Sequence, residues 1–334
     1  MIRKPYLIFL GDVRSPAFAK TAFGIRDWLP EETVGQLRLE GCTIDLAVPE
    51  LSLREAYVRG ARSLLIGVAP IGGRIPELWL PTLVEALQEG LDIVSGLHMR
   101  LSDITVVREA AACHGRTLHD VRHSDREFPV GSGRKRTGRR LLTVGTDCAL
   151  GKKYTALSIA RELVRRGVKA DFRATGQTGI MISGSGVAID AVVADFISGA
   201  AETLSPDASP HHWDVIEGQG SINHPAYAGV TLGLVHGSQP DAMVLCHDPT
   251  RTTINTYPDF PIAPLEEIMA QYVGAARLTH QATRFVGASL NTSALSESEA
   301  RRVLAETEAR LNLPVIDPIR FGCAAVVDRM LETS

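Results

Sequence analysis

Residues 144 to 156 read VGTDCALGKKYTA, and this stretch decides the fold of the second half of the chain. After Gly145 come five residues, and then Gly151 and Lys152 stand immediately before a helical pattern. A strand, a glycine-rich loop and a helix in this order let backbone amides and the positive end of the helix converge on a phosphate. We therefore predict a phosphate-binding loop here. The residues expected to hold the phosphates are Gly145, Thr146, Asp147, Cys148, Ala149, Gly151, Lys152, Lys153 and Tyr154.

The residue after the loop lysine departs from the pattern of nucleotide-hydrolysing loops. Those loops place Ser or Thr there as a magnesium ligand, and this chain has Lys153. An ammonium repels a divalent cation and strengthens the attraction to a phosphate. The sequence thus favours a loop that holds phosphate without a metal. Two alternatives stay open: Lys153 points to solvent, or Thr155 supplies the missing hydroxyl two residues later.

The composition is that of an ordinary globular protein with room for two domains. The chain has 334 residues, of which 45% are hydrophobic and 22% charged, and its formal net charge is -3. That balance gives no general attraction to nucleic acid or to an anionic membrane. No stretch reaches the ~20 apolar residues of a membrane span, and the N-terminus lacks a signal-peptide pattern. We expect neither nucleic-acid nor membrane partners.

The five cysteines are scattered and never spaced Cys-x-x-Cys. This argues against a disulfide framework and against a zinc knuckle, and it fits a reducing cytoplasm. The clusters His211-His212 and Cys246-His247-Asp248 are interpreted as polar loop residues, so no metal is expected. We predict a cytoplasmic protein.

Short apolar runs alternate with helical patterns along the whole chain, which predicts an α/β protein with parallel sheets. Residues 1–122 are predicted to form a small N-terminal Rossmann-like domain, and residues 140–334 a larger doubly wound domain that contains the phosphate loop. The N-terminal strands are expected at 6–10, 42–48, 63–69 and 92–97.

Two helices of the second domain carry readable signals. The helix that follows the loop should bury its apolar positions Leu157, Ala160, Leu163 and Val164. A later helix should begin after Ser296 with Glu299 as its capping-box partner, and should end at Asn312.

The segment 123–139 separates the two predicted domains. It mixes Pro, Gly and Ser with five basic residues, so it cannot form a core. We interpret it as a basic linker. It is either a solvated connector or a basic flap near a phosphorylated ligand.

Three segments resemble dethiobiotin synthetase and its relatives. Their loop reads G-T-D-T-x-x-G-K-[ST], close to GTDCALGKK in this chain, and VIEGQGS at 215–221 is similar to their VEGAGG. In those enzymes the glutamate of VEGAGG helps to hold magnesium, and Glu217 occupies that position. FVGASLN at 285–291 resembles their strand that ends in an asparagine near the nucleotide base.

The chain as a whole resembles a bacterial family that includes D-glutamate N-acetyltransferases. The segments GTDCALGKKYTAL, RATGQTGIMISGSGVAIDAVVADFISGAAE, IEGQGSINHPAYAGVTLGLVHGSQPDAMVLCHDPTR and PLEEI carry this resemblance, which runs from FLGD near residue 10 to DP near 318. It implies an acyltransferase that moves acetyl from acetyl-CoA to the amino group of a D-amino acid. The coenzyme phosphates would serve only as a handle in the loop.

Acetyl transfer to an amine requires a group that accepts a proton from the ammonium. Glu217 is the first candidate, because a missing metal would free it to act as a base. His224 and Asp248 are alternates. A purely structural role is open for Glu217 and for His224.

The remaining candidates would bind the substrate or stabilise the oxyanion. Arginines suit the two carboxylates of glutamate, and glycine-rich loops supply donors to an oxyanion. The candidate substrate-binding residues are Arg173, Gln177, Thr178, Gln219, Ser221, Arg251 and Arg320. Cys148 is considered as a nucleophile, because helix N-termini lower thiol pKa values, but it is disfavoured.

Three functions remain in view from the sequence. The leading one is an acetyl-CoA-dependent N-acetyltransferase for D-glutamate or a related D-amino acid. The second is an ATP- or GTP-dependent ligase-type enzyme with magnesium on Glu217 and Asp147, and the third is a nucleotide sensor without turnover. Two open sheets with several apolar helices predict a homo-oligomer.

Overall fold

The structure is a computed structural model that describes residues 2–123 and 126–332. The chain divides into two compact units, one of residues 1–126 and 177–188, the other of residues 127–176 and 189–334. Each unit contains a parallel sheet, so the predicted α/β class is confirmed.

The N-terminal unit is built on a sheet of five parallel strands in the order β2-β1-β3-β4-β5. The order turns back between β1 and β3, where open α/β sheets usually bind ligands. The elements are β1 Tyr6–Gly11, α1 Lys20–Trp28, β2 Thr33–Arg38, α2 Leu53–Val58, β3 Ser63–Ile66, α3 Leu80–Gln88, β4 Asp92–Ser95, α4 Thr105–Cys113 and β5 Leu118–Asp120.

One predicted N-terminal strand is wrong. Residues 42–48 form no strand, and β2 lies earlier, at Thr33–Arg38. Gly35 in β2 packs so closely that a Cβ there would lie 2.5 Å from the Pro49 carbonyl oxygen. The apolar run at 42–48 instead buries Ile44 and Leu46 as a loop.

The second unit contains six parallel strands in the order β13-β12-β9-β6-β8-β7. A short antiparallel hairpin, β10 with β11, stands apart from this sheet. The remaining elements of the chain are β6 Arg139–Gly145, α5 Lys152–Arg165, β7 Ala170–Arg173, α6 Gln177–Ser183, α7 Ile197–Leu204, β8 Trp213–Ile216, α8 Ala228–Ser238, β9 Ala242–His247, β10 Thr253–Ile254, β11 Tyr257–Pro261, α9 Leu265–Ala276, β12 Arg284–Leu290, α10 Glu297–Leu311, β13 Val315–Ile316 and α11 Ala324–Glu332.

Helix α6 does not belong to the unit that surrounds it in sequence. The predicted second domain runs without a break from 140 to 334, whereas residues 177–188 group with the N-terminal unit. Within that unit the Thr178 hydroxyl hydrogen-bonds to that of Thr21 at 2.9 Å, and the Tyr6 hydroxyl donates to the Met181 carbonyl at 3.0 Å. Sequence periodicity carries no sign of such an excursion.

Helix α5 packs against the sheet with Leu163 fully buried, and Leu157 and Ala160 are also buried as predicted. Val164 is 59% exposed, so its predicted burial is wrong. At α10 both halves of the capping box at Ser296 are present, and Asn312 ends the helix with a left-handed φ of 51°.

The basic segment docks onto its own unit as an irregular strap, here residues 127–138. Arg136 is buried and donates to the Gly237 and Ser238 carbonyls, and burial lowers its pKa to about 10. Lys135 pairs with Asp241 at 2.9 Å and Arg134 with Asp207 at 2.6 Å. Arg136 and the two ion pairs therefore attach the strap to its unit, although most of its residues are exposed.

Candidate functional site

The phosphate loop joins β6 to α5, as the sequence predicts. Gly151 precedes the helix with φ of 107°, a left-handed conformation that glycine adopts without strain, and Ala149 has φ of 54°. Strands β8 and β9 lie on either side of β6, so the loops that follow all three strands meet at one sheet edge. The loop is thus placed where doubly wound sheets bind their ligands.

Lys152 is the buried cation of the loop. It is 6% exposed, and its Nζ donates to the Asp147 carbonyl at 2.7 Å, which folds the side chain back under the loop. Burial lowers the pKa of the ammonium. A cation held in this position without a carboxylate partner at hydrogen-bonding distance gains most from an incoming anion.

Lys152 is also held by the backbone of the neighbouring loop. A Cβ at Gly218 would lie 1.6 Å from the Thr143 carbonyl oxygen and 3.2 Å from Lys152 Cδ. The Gly218 amide donates to the Thr143 hydroxyl at 3.0 Å. Only glycine permits the loop after β8 to approach β6 this closely.

Asp147 is fully buried and its carboxylate is fully engaged. Oδ1 accepts from the Cys148 amide at 2.6 Å, and Oδ2 accepts from Arg251 Nη1 at 2.8 Å and from the Asn255 amide at 2.9 Å. Arg251 also donates to the Cys148 carbonyl at 2.8 Å. Asp147 therefore fastens the segment 251–255 to the phosphate loop.

Arg251, which is predicted to bind substrate, contacts the phosphate loop. It is engaged by the Asp147 carboxylate and the loop carbonyls, and its Nε lies 3.4 Å from Asp248 Oδ2. These contacts hold the loop in shape. Asp248 itself accepts from the Thr250 amide and hydroxyl, the pattern of an acid that orders its own loop.

Lys153 is half-buried, and its ammonium lies 5.0 Å from the centroid of the Tyr154 ring. Its charge also acts on Glu217: burial is the main effect on that carboxyl and raises its pKa, while Lys153 opposes the rise. The second lysine thus adds positive potential at the site. Thr155, the other candidate for the missing hydroxyl, is buried, and its hydroxyl hydrogen-bonds to Ser289 Oγ at 2.8 Å.

Glu217 follows β8 and is 5% exposed. Its Oε2 accepts from the amides of Thr175 at 3.1 Å and Gly176 at 3.2 Å. The Thr175 hydroxyl donates to the Glu217 carbonyl at 2.6 Å. Three hydrogen bonds therefore join Thr175 and Gly176 to Glu217. A buried carboxyl with a raised pKa and two fixed donors is suited to accept a proton.

His224 is buried, and burial lowers its pKa, which favours the neutral ring. Its Nδ1 accepts from the Ala226 amide at 3.1 Å, so the ring proton is assigned to Nε2, which lies 3.9 Å from Asp147 Oδ1. A nitrogen that already carries a proton cannot accept another. With this hydrogen bond His224 presents a donor at Nε2.

The cysteine of the loop is a poor nucleophile. Cys148 is partly buried, and burial raises the pKa of its thiol despite the nearby Lys152.

Asp147, Cys148 and His224 lie close enough together to bind one metal ion, but the Asp147 oxygens already accept hydrogen bonds from three donors and Cys148 is held as a thiol. This donor set does not suit magnesium, which prefers free carboxylate oxygens and water.

The other predicted arginines have partners of their own. Arg173 Nε donates to Asp214 at 2.7 Å, and Nη2 donates to Asp171 at 3.1 Å, so its charge is neutralised. Arg320 donates to the Thr292 and Leu295 carbonyls. Arg320 nevertheless lines a cavity beside the loop, whereas Arg173 has no such position among the described cavity residues.

That cavity lies next to the start of α5 and has a volume of about 270 Å³. Tyr154 and Leu150 form part of its wall, and Asn291, the residue after β12, is also part of the lining. The full set of lining residues is Leu150, Gly151, Tyr154, Thr155, Ser289, Leu290, Asn291, Ser293, Asp317, Pro318, Ile319 and Arg320. The mixture of apolar walls and a few polar groups is typical of a small-molecule site.

The polar loop residues separate into two groups. Gln219 Nε2 donates to the Thr175 hydroxyl at 3.1 Å, and Ser221 is buried and accepts from the Asn223 amide. Both lie in the unit of the phosphate loop. Gln177 and Thr178 belong to the N-terminal unit, where Thr178 bonds Thr21 and Gln177 packs against Gly96.

Two residues important to the site have no sequence signal of their own. The Tyr272 hydroxyl in α9 donates to the Gly145 carbonyl at 2.8 Å and accepts from the Ile222 amide at 3.0 Å. Asn255 contributes only its backbone amide to Asp147. A tyrosine on an apolar helix face and a backbone amide cannot be recognised as site residues without the fold.

Among the described residues, we find no helix with both the length and the apolar character needed to cross a bilayer. This agrees with the absence of apolar spans in the sequence.

The fold and the site define a phosphate-loop protein preceded by a Rossmann-like domain. Residues 129–327 match the family model of the domain of unknown function DUF1611_C, described as a P-loop domain, and residues 37–124 match DUF1611_N, described as a Rossmann-like domain. The chain belongs to the DUF1611 family. The family resemblance predicted from the sequence is confirmed.

Similar proteins match along their whole length. A protein of Tritonibacter scottomollicae named D-glutamate N-acetyltransferase is 50% identical over 330 residues, 99% of each chain. A protein of the same name from a Pseudoalteromonas species is 45% identical over 326 residues, 98% of each chain. The crystal structure of a DUF1611 family protein from Anabaena variabilis is similar with a TM-score of 0.89 at 34% identity, covering 99% of this chain and 100% of that one.

Proposed function

We propose that this protein is an N-acetyltransferase that moves acetyl from acetyl-CoA to the amino group of D-glutamate or a related D-amino acid. The names of the full-length relatives support the reaction class. The observation that carries the proposal is that a buried loop lysine, Lys152, and a buried carboxyl, Glu217, follow the neighbouring strands β6 and β8, where Gly218 packs against Thr143 and the Lys152 side chain. One group would hold a phosphate and the other would handle a proton.

The loop is proposed to hold coenzyme phosphates without a metal. Asp147 is occupied by Arg251 and by two backbone amides, and Lys153 stands where a magnesium hydroxyl would be. The positive charges of Lys152 and Lys153 supply the attraction that magnesium provides elsewhere. The loop has only to bind these phosphates, because they are not transferred in the reaction.

The cavity beside the loop is proposed to receive the adenine end of the coenzyme. Its volume of about 270 Å³ and its apolar walls, Leu150 and Ile319, suit a flat heteroaromatic ring, and Tyr154 offers a further contact. Asn291 and Ser293 provide amide and hydroxyl groups for hydrogen bonds to ring nitrogens.

Glu217 is proposed as the general base. The substrate ammonium loses a proton to the carboxylate, the amine nitrogen attacks the thioester carbonyl, and collapse of the tetrahedral intermediate breaks the carbon–sulfur bond. The attacking nitrogen gives up its second proton, and the coenzyme leaves as a thiolate that takes up this proton; Glu217 returns the first proton to solvent. Because burial raises the pKa of Glu217, the carboxylate is a stronger base than an exposed glutamate.

A direct assay tests the proposal. Purified protein is incubated with acetyl-CoA and a panel of D- and L-amino acids, and thiol release is followed together with mass analysis of the product. We expect amine-dependent thiol release that is greatest with D-glutamate or a close analogue and is unaffected by EDTA. Thiol release at the no-amine rate, together with amine-stimulated ATP hydrolysis, would point to the ligase-type alternative.

A further inference from the structure

Arg320 differs from the other two arginines predicted to bind substrate, because it has no anionic partner. Arg173 and Arg251 lie 2.7 Å and 2.8 Å from a carboxylate oxygen. Arg320 Nη1 donates to the Thr292 carbonyl at 2.9 Å and to the Leu295 carbonyl at 3.0 Å. Within the described part of the chain its guanidinium forms no ion pair, and Nε and Nη2 donate no hydrogen bond. Arg320 is therefore a fixed cation with two unused donors.

This guanidinium belongs to the opening of the cavity beside the phosphate loop. The charged residues of the cavity lining are Arg320 and Asp317. Asp317 is buried, its carboxylate accepts from backbone amides, and the Thr292 hydroxyl separates it from Arg320 Nη1. Arg320 and Ile319 are exposed, which places them at the opening of the cavity and not at its base. The opening therefore offers a cation to an anionic group of the ligand.

The distance across the sheet argues against the amino acid as the source of that anion. The guanidinium is bonded to the loop after β12, whereas Glu217 follows β8 and its carboxylate is bonded to the loop after β7. Strands β9 and β6 lie between β12 and β8. At the strand spacing of ~4.8 Å, β12 and β8 are roughly 14 Å apart. A glutamate with its nitrogen at Glu217 is too short to reach Arg320.

Coenzyme A carries a suitable anion close to its adenine. Its pyrophosphate is attached to the 5′ carbon of the adenosine ribose, and a separate phosphate is attached to the 3′ carbon. With the pyrophosphate in the loop and the adenine in the cavity, the ribose lies between them. Gly151 both precedes α5 and lines the cavity, so the two sites adjoin. The 3′-phosphate requires a cation or water, and the opening supplies both.

We propose that Arg320 binds the 3′-phosphate of coenzyme A and makes the site selective for coenzyme A over ATP and ADP, which have a hydroxyl at that position. The planar guanidinium suits phosphate oxygens, and its two bonds to loop carbonyls hold it in place before the ligand arrives. This inference rests on the proposed use of acetyl-CoA and identifies the residue that recognises it.

Binding of coenzyme A and of dephospho-coenzyme A, which lacks only the 3′-phosphate, tests the inference by isothermal titration. We expect the wild type to bind coenzyme A about 30-fold more tightly, the size of a charge-assisted hydrogen bond. The preference should fall to about twofold or less in Arg320→Met and to about fivefold in Arg320→Lys, which keeps the charge without the planar fork. Arg301→Met is the matched control, because Arg301 also lies over the Phe321 ring but does not line the cavity.

The affinity for dephospho-coenzyme A separates phosphate recognition from damage to the loop. It should stay within about twofold of the wild-type value in every variant, since only the contact with the 3′-phosphate is lost. Equal binding of the two ligands by the wild type would overturn the inference, and so would an unchanged preference in Arg320→Met. A loss of affinity in Arg320→Met that is equal for both ligands would overturn it too, because Arg320 would then only hold its loop.

Steady-state kinetics distinguish this inference from the proposed reaction. In Arg320→Met the KM for acetyl-CoA should rise about 30-fold with kcat within about twofold, because the contact is the same in the ground state and the transition state. A fall in kcat at unchanged KM would contradict the inference. If the wild type transfers no acetyl group but prefers coenzyme A to dephospho-coenzyme A through Arg320, the proposed reaction fails and the inference stands. If the wild type binds neither ligand, both are refuted.

Discussion

The two units place a loop after the first strand of a parallel sheet, and they use it differently. In the N-terminal unit Gly11 ends β1 against Trp79, where a Cβ would lie 2.4 Å from the indole, and Trp79 Nε1 donates to Asp12 at 2.9 Å. In the second unit the loop after β6 keeps Lys152 without a carboxylate bond and borders an open cavity. The edge of the N-terminal sheet is occupied by the unit's own side chains. The edge of the second sheet has a buried cation and a cavity that a ligand can enter.

This difference shows that architecture alone does not make a site. Both sheets are parallel and both turn back in strand order, so both have the crevice that fold rules associate with ligands. The two sheet edges differ in whether the polar side chains there already have hydrogen-bond partners within the protein. The predictions below test the second edge and its contrast with the first, from the largest expected effect to the smallest.

Replacing the carboxyl that faces the ligand edge has the largest expected effect. Glu217→Gln keeps the shape and removes the base, so kcat should fall by about 10² to 10⁴ while coenzyme Kd changes little. Steady-state kinetics and equilibrium coenzyme binding measure both. Asp12→Asn, at the corresponding edge of the N-terminal sheet, is the control and should leave kcat within about twofold. Equal losses of kcat in Glu217→Gln and Asp12→Asn would mean that the two sheet edges do not differ in function.

Removing the buried cation should come next. Lys152→Met keeps the apolar stem and deletes the charge, so coenzyme affinity should fall about 100-fold, the size expected for a charge-assisted hydrogen bond to phosphate. Isothermal titration with coenzyme A measures it. Lys169→Ala removes an exposed lysine of the same unit as a control. An unchanged Kd in a folded Lys152→Met protein would refute the phosphate clamp.

Stability should depend on pH through Glu217. Its pKa is raised above the ordinary 4.5 by burial, so the folded state binds a proton that the unfolded state has released. The stability of the wild type relative to Glu217→Gln should therefore be greatest below about pH 4.5 and fall as pH rises through the folded pKa. Urea unfolding of both proteins from pH 4 to 8 measures the difference. A difference that grows with pH would contradict the assigned direction.

Breaking the fastening of the loop should cost stability. Arg251→Met leaves the buried Asp147 carboxylate without its cation, and we expect a loss of about 2 kcal/mol in the free energy of unfolding. Arg301→Met removes an exposed helix pair with Glu297 and should change stability by less than about 0.5 kcal/mol. Denaturant titrations of both variants give the comparison. Similar losses would mean that Asp147 does not depend on Arg251.

The smallest expected effect is that of the second lysine. Lys153→Thr restores the residue of nucleotide-hydrolysing loops and removes half-buried positive charge, so coenzyme affinity should fall about fivefold. Salt dependence of the Kd should weaken at the same time. Binding titrations at two salt concentrations, with and without magnesium, measure this. Tighter coenzyme binding in Lys153→Thr would show that the ammonium does not face the phosphates.

The local elements were accessible from sequence because their signals lie within a few residues. The loop between β6 and α5, the capping box at Ser296 and the alternation of strands and helices all follow from spacing and apolar period. Glu217 is identified through the resemblance of VIEGQGS at 215–221 to the VEGAGG of dethiobiotin synthetase relatives. Its approach to the loop needs the Gly218 contact, which only the folded sheet shows.

The arginines could not be assigned from sequence, because a long cation can reach several partners. Arg173 pairs with Asp214 and Arg251 with Asp147, contacts that the sequence alone does not predict. Both carboxylates are distant from their arginines in the sequence, so residue spacing does not predict these ion pairs. The same reason hid the excursion of α6, whose partners Thr21 and Tyr6 are more than 150 residues distant.

The strap of residues 127–138 has a practical consequence for proteolysis and for shortened forms of the protein. Its run Arg134-Lys135-Arg136 is an ideal trypsin sequence, yet Arg136 is buried and Lys135 is bonded to Asp241. Trypsin should therefore cut after Lys135 or Arg136 only after local opening, whereas Arg134 is exposed. A fragment that starts at residue 140 lacks Arg134 and Lys135, the ion-pair partners of Asp207 and Asp241. A fragment of the second unit should therefore begin at residue 127 or earlier.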